Sequence, residues 1–173
     1  VIARLDELFR VAVAAEYDKD LEYGYRHIAH LSGGLDSRMN VFVARDLGYA
    51  GILNLTFSQS DFPDETIAKR MAADMGNEFV FYSLDNGNYL TNTLEEVIQA
   101  NGGIALYCGA AHALSAYRCL DFGPFGCLHS GQIGDAVLGS FLSAPAHRPP
   151  EWSAGAYSPY LLDRISTVVR RSH

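Results

Sequence analysis

Short apolar runs alternate with segments of helical spacing through the first half of the chain. That alternation limits the possible folds more than any other feature. Residues 27–31 read as a buried strand running into Ser32-Gly33-Gly34. Residues 36–47 read as a helix with Met39, Val41, Phe42, Val43 and Leu47 at its apolar positions and Gly48 as its stop. Residues 52–57 give a second strand. Asp61-Phe62-Pro63-Asp64 opens the next helix, with Asp61 suited to the N-cap, Pro63 to the first turn and Asp64 to the positive helix end. That helix runs to Met75 and ends at Gly76, and a third strand spans 79–84. Residues 94–100 and 110–120 read as helices, 126–129 as a short strand and 135–142 as a helix. Ahead of them all, residues 1–17 read as an amphipathic helix carrying Ile2, Leu5, Leu8, Phe9, Val11, Val13 and Ala14, followed by the polar stretch 18–22. The expected class is therefore α/β, doubly wound: a parallel sheet with helices on both faces, joined by right-handed crossovers. Such sheets bind ligands beyond the carboxyl ends of their strands, where the strand order switches. The glycine-bearing turns at 32–34 and 130–134 both fall at such ends.

Composition narrows the function. The chain has 173 residues, enough for one domain and one proper core, since a chain of this length buries about 70% of its unfolded surface. Charged residues make up 19%, below the usual ~25%, which excludes a long disordered chain. With 13 basic against 20 acidic residues and no Lys/Arg block, a grip on nucleic acid is not expected. No apolar run approaches the roughly 20 residues of a membrane helix, so no membrane partner is expected either. Cys108, Cys119 and Cys127 are odd in number and lack metal-like spacing. They read as free, inert core thiols in a reducing, cytoplasmic setting. The chain begins at Val1 inside an amphipathic run and stops at His173 inside a helical pattern. These ends read as cuts, and residues 1–173 as a single domain, or part of one, from a longer protein. Residues 143–155, with Pro145, Pro149 and Pro150, read as a loop or linker.

The segment that carries chemistry is His30-Leu31-Ser32-Gly33-Gly34-Leu35-Asp36-Ser37-Arg38, between a strand and a helix. The glycines let backbone wrap closely round a ligand. Ser37 and the N–H groups at the helix start point at one spot, which makes an anion site suited to phosphate or pyrophosphate. A Walker loop is excluded because Leu35-Asp36 follows Gly34 where Lys-Ser/Thr is needed, and the dinucleotide G-x-G-x-x-G spacing is not met. An aspartate among phosphates is repelled unless a cation lies between them, so Asp36 implies a divalent metal, Mg²⁺ above all.

Ser32-Gly33-Gly34-Leu35-Asp36-Ser37 resembles the pyrophosphate-binding loop of the ATP pyrophosphatase (PP-loop) superfamily. The wider context is similar to the synthetase domain of the glutamine-hydrolysing asparagine synthetase family. Leu55-Thr56-Phe57 is followed by Asp64-Glu65 and a helix ending Asp74-Met75-Gly76, and His129-Ser130-Gly131-Gln132-Ile133-Gly134-Asp135 stands where the family has a Ser-Gly-Glu-Gly-x-Asp-Glu turn. The resemblance covers most of residues 1–142 and implies an adenine nucleotide alpha hydrolase-like fold. It implies an AMP-forming ligase that activates aspartate or a similar carboxylate as an acyl-adenylate, releases pyrophosphate, and lets ammonia displace AMP. The implied cofactors are ATP and Mg²⁺. Asp36 and Asp135 match the metal-binding aspartates, and Asp36, Gln132 and Asp135 are the catalytic candidates. Ser32, Gly33, Gly34 and Ser37 would cradle pyrophosphate, while backbone around Leu31, Phe57, Ser130 and Gly131 would hold adenosine. The implied partners are a small-molecule carboxylate and ammonia from a glutaminase domain outside this chain, with a homodimer left open.

The sequence departs from the family pattern at named places. Gln132 stands for the turn's Glu, Ala136 for the Glu after the aspartate, and Ile133 for a glycine. Arg38 stands where a small residue is common, and Phe79 where a His is usual. Gln132 can orient a substrate by hydrogen bonds but cannot take a proton as a carboxylate can. Two function classes therefore stay open: the amide-forming ligase, and a catalytically degenerate nucleotide-binding module serving as scaffold or sensor. Asp61, Asp64 and Glu65 read as capping acids rather than ligands. His30 and His129 read as strand-end packing residues, and Trp152, Tyr157 and Tyr160 as packing after the proline-rich loop.

Overall fold

A computed structural model describes residues 2–102 and 107–132. Residues 1–131 form one compact unit and residues 132–173 a second; every helix and strand described lies in the first. In chain order these are α1 (Ile2–Glu22), β1 (Arg26–His30), α2 (Leu35–Asp46), β2 (Leu53–Ser58), α3 (Pro63–Met75), β3 (Glu78–Ser83), α4 (Tyr89–Asn92), α5 (Leu94–Asn101), α6 (Tyr107–Tyr117) and β4 (Phe125–His129).

The strands pair in the order β3-β2-β1-β4, and every pair is parallel. The chain steps outward from β1 to β3, then returns through α4, α5 and α6 to lay β4 on the other side of β1. The order therefore switches between β1 and β4, as a doubly wound sheet requires. Alternation along β1 shows which helices cover which face. Ala29 and the following Leu31 belong to a core with Val13 and Tyr17 of α1, Val41, Val43 and Ala44 of α2, and Ala68 and Ala72 of α3. His30, pointing the other way, meets Tyr117 of α6 at 3.1 Å. The expectation of α/β architecture with both faces covered holds.

Local signals read correctly at α3. Pro63 sits at its first turn, and Gly76 ends it at φ 64°, a left-handed conformation that costs a glycine little. Asp61 does not cap that helix. It adopts φ 59°, its N–H donates to Glu65 Oε2 at 2.7 Å, and Phe62 takes the N-cap position without a side-chain cap. Glu65 thus reaches back to the turn before the helix, the second half of a capping box without the first.

Other boundaries and faces differ from the sequence reading. The polar stretch 18–22 is helical and extends α1 to Glu22. Ile2, Leu5, Leu8 and Val11 of α1 and Met39, Phe42 and Leu47 at α2 are exposed rather than in the core. Cys119 and Cys127 are free but exposed, so they are not core thiols. A short helix, α4, lies in a segment that had no predicted element. The predicted helix 135–142, the loop 143–155, and Trp152, Tyr157 and Tyr160 lie outside the described residues.

A buried polar cluster explains the extra turn of α1. Asp20, fully buried, accepts hydrogen bonds through Oδ2 from His27 Nδ1 at 2.8 Å and His129 Nε2 at 2.7 Å. Its Oδ1 accepts the Cys127 N–H at 2.7 Å. Burial alone would raise the Asp20 carboxyl, but these donors outweigh it and hold the group below its usual range. Tyr17 stacks on the His129 ring, centroids 3.8 Å apart. One carboxylate at the end of α1 thus fixes where β4 runs.

Candidate functional site

The β1–α2 connection begins with a backbone anchored in the sheet. The Leu31 N–H donates to the Leu55 carbonyl at 3.1 Å, and the Leu31 carbonyl accepts the Thr56 hydroxyl at 2.5 Å. From that fixed point the chain turns through Ser32, Gly33 and Gly34 into α2. The turn is held by its own donors. Ser32 N–H donates to Ser37 Oγ at 3.1 Å, the two hydroxyls stand 2.9 Å apart, and Gly34 N–H donates to Ser32 Oγ at 3.1 Å. Gly33 N–H donates to Asp64 Oδ1 at 2.7 Å, a charge-assisted bond from the first turn of α3. Arg38 Nε donates to the Gly34 carbonyl at 3.2 Å.

No side chain caps α2, whose N-cap residue is Gly34. The first turn of a helix leaves N–H groups without intrahelical partners, and with the helix dipole they favour an anion. Asp36 lies in that turn and is half-buried. Among the described residues its carboxylate has no hydrogen-bond or ion-pair partner, which suits an oxygen ligand for a hard divalent cation.

The turn after β4 closes on the same place. A Cβ added to Gly131 would lie 2.9 Å from Asp36 Cβ and closer still to the Ser37 nitrogen. Only glycine permits this approach, so the two glycine turns, far apart in sequence, form one site. Ser130 is half-buried beside Gly131, and the Phe57 ring meets His30 edge-on with centroids 5.4 Å apart. His30 is packed between Phe57 and Tyr117, and burial pushes its pKa down. It is a packing residue, as expected of it. Gln132 is exposed in the turn that opens the second unit. Asp135, with Ile133, Gly134 and Ala136, lies outside the described residues.

Sequence reasoning treated Asp64 as a capping acid and missed its bond to the loop. A second cleft, about 220 Å³, is lined by Tyr82, Asn88, Tyr89, Asn92, Ser115, Arg118 and Cys119. Its cation, Arg118, is paired with Glu96, so the cleft has no cation to spare for an anionic ligand.

A parallel sheet with two glycine turns meeting at its switch point, one of them opening a helix and carrying an acid, defines an α/β protein of the doubly wound kind. The family model for asparagine synthase matches residues 4–161. The chain belongs to the asparagine synthase family, a family of ligases that generally use ATP. No curated protein matches the chain.

Proposed function

We propose that this domain binds ATP with its pyrophosphate at the Ser32–Ser37 loop and activates a small carboxylate, aspartate or similar, for attack by ammonia. The observation that carries the reading is the convergence of Gly131 on Asp36 and Ser37 at the uncapped start of α2. The first-turn N–H groups and the Ser32 and Ser37 hydroxyls would meet the β- and γ-phosphates. Backbone around Leu31, Phe57, Ser130 and Gly131 would flank the adenosine. Asp36 and Asp135 would hold Mg²⁺, which supplies charge neutralisation for the departing pyrophosphate. The substrate carboxylate attacks the α-phosphorus, pyrophosphate leaves, and ammonia then displaces AMP from the acyl-adenylate. The chemistry belongs in the cytoplasm, where ATP is present.

The departure at Gln132 favours a second reading, in which the domain binds nucleotide without turning it over. The decisive measurement is product analysis with ATP, Mg²⁺, ammonia and a panel of amino-acid carboxylates. The ligase reading expects AMP and pyrophosphate; ADP and phosphate would rule it out. ATP affinity without turnover would select the binding module. No ATP affinity in the folded chain would remove both readings. Asp36→Ala should weaken Mg²⁺-dependent ATP binding by about tenfold or more, a loss of roughly 1.4 kcal/mol or more.

A further inference from the structure

We propose that Asp20, His27 and His129 form a buried site for one divalent transition-metal ion, zinc being the ion that the donor set suits best. The three side chains come from the end of α1, from β1 and from the end of β4, and all are buried. Their donor atoms, Asp20 Oδ2, His27 Nδ1 and His129 Nε2, lie within 4.8 Å of one another. Two imidazole nitrogens with one carboxylate oxygen is a zinc set of the three-ligand kind, with water completing the fourth position.

Three features separate this cluster from an ordinary buried hydrogen-bond network. The first is charge. Asp20 and the half-buried Glu16 are both at the cluster, and among the described residues neither is paired with a Lys or Arg. One protonated imidazole would balance only one of the two carboxylates, the other being Glu16, which is partly exposed and also accepts from Asn40 Nδ2 at 3.3 Å. A divalent ion on two neutral imidazoles balances both carboxylates. The second is the orientation of His129. Glu16 Oε1 stands 2.9 Å from His129 Nδ1, yet Nδ1 makes no hydrogen bond there. A cation on Nε2 would fix the other ring nitrogen as a donor, and a carboxylate waits beside it, the usual outer partner of a metal-bound histidine. The third is the backbone. Cys127 N–H holds Asp20 Oδ1, and a Cβ added to Gly126 would collide with that same oxygen and lie 3.1 Å from Tyr25 Cβ. The strand is shaped around the carboxylate.

Tetrahedral zinc ligands at about 2.0–2.1 Å stand about 3.3 Å apart, so each imidazole nitrogen has to move outward from Asp20 by about half an ångström while the two nitrogens, now within 4.8 Å of each other, settle to that same spacing.

The test uses the whole chain, stripped with chelator and titrated with Co²⁺ and then Zn²⁺. One equivalent of Co²⁺ should give ligand-field absorption in the visible range, and Zn²⁺ should displace it. Free Zn²⁺ about 100-fold above its Kd should raise Tm by about 5–10 °C. Glu16→Gln should weaken the ion by about 10–100-fold, and His27→Gln and His129→Gln by more. Absence of the Co²⁺ absorption in the wild-type chain overturns the proposal without any variant. So does one-equivalent uptake that survives unchanged in a folded His27→Gln chain.

Discussion

The carboxylate of Asp64 stands where a ligand oxygen would stand, 2.7 Å from the Gly33 nitrogen. An incoming pyrophosphate that uses this donor has to displace a negative charge. Asp64→Asn should therefore tighten pyrophosphate binding in the absence of metal by about tenfold, a gain of roughly 1.4 kcal/mol. Isothermal titration reads this directly, and weaker binding would instead make Asp64 a support that shapes the loop for its ligand. Gly131 makes the opposite case. Gly131→Ala drives a methyl into the Asp36–Ser37 backbone, and overpacking of this kind costs about 1–3 kcal/mol. ATP affinity should fall with it. His30 carries a pH dependence. Its pKa is lowered by burial, so below about pH 6.5 the unfolded chain binds a proton that the folded chain resists. Stability should fall as pH falls from 7 to 5, and His30→Gln should flatten that slope in thermal melts. The Ser32–Ser37 loop was legible in the sequence because its residues are contiguous. Asp64 was not, because its partner lies 31 residues away and a first-turn acid already has a local explanation.

Element ends show which physical signals act locally. The stop of α3 at Gly76 follows from one left-handed residue, and Gly76→Ala should cost about 1–2 kcal/mol with Tm lower by about 2–8 °C. Differential scanning calorimetry would settle it, and an unchanged Tm would mean that the backbone relaxes at no cost. The end of α1 was not legible in the same way. Residues 18–22 look like polar linker, yet Asp20 is inside because His27, His129 and the Cys127 N–H come to it from β1 and β4. Hydrophobic periodicity cannot see a buried acid whose donors arrive from distant strands. The same blindness misjudged α2, where Val41, Val43 and Ala44 carry the packing while Met39 and Phe42 face outward. Spacing counts apolar residues but does not say how wide the buried stripe is.

At the scale of the molecule, strand–helix alternation predicted the class of fold, and the observed order β3-β2-β1-β4 adds the place where the order reverses. That reversal puts the glycine turns of β1 and β4 side by side. It also has a kinetic consequence. The bonds that seat β4 join Asp20 to Cys127 and His129 across 107 and 109 positions of chain. Closing so long a loop is entropically late, since contacts of high sequence separation form only after much of the chain is already ordered. The sheet from β1 to β3 can assemble from neighbours, but the two glycine turns meet only when the last strand docks. Recovery of nucleotide affinity during refolding should therefore lag behind recovery of helical signal, and a chain halted before Phe125 would hold most of a sheet and none of the finished pocket.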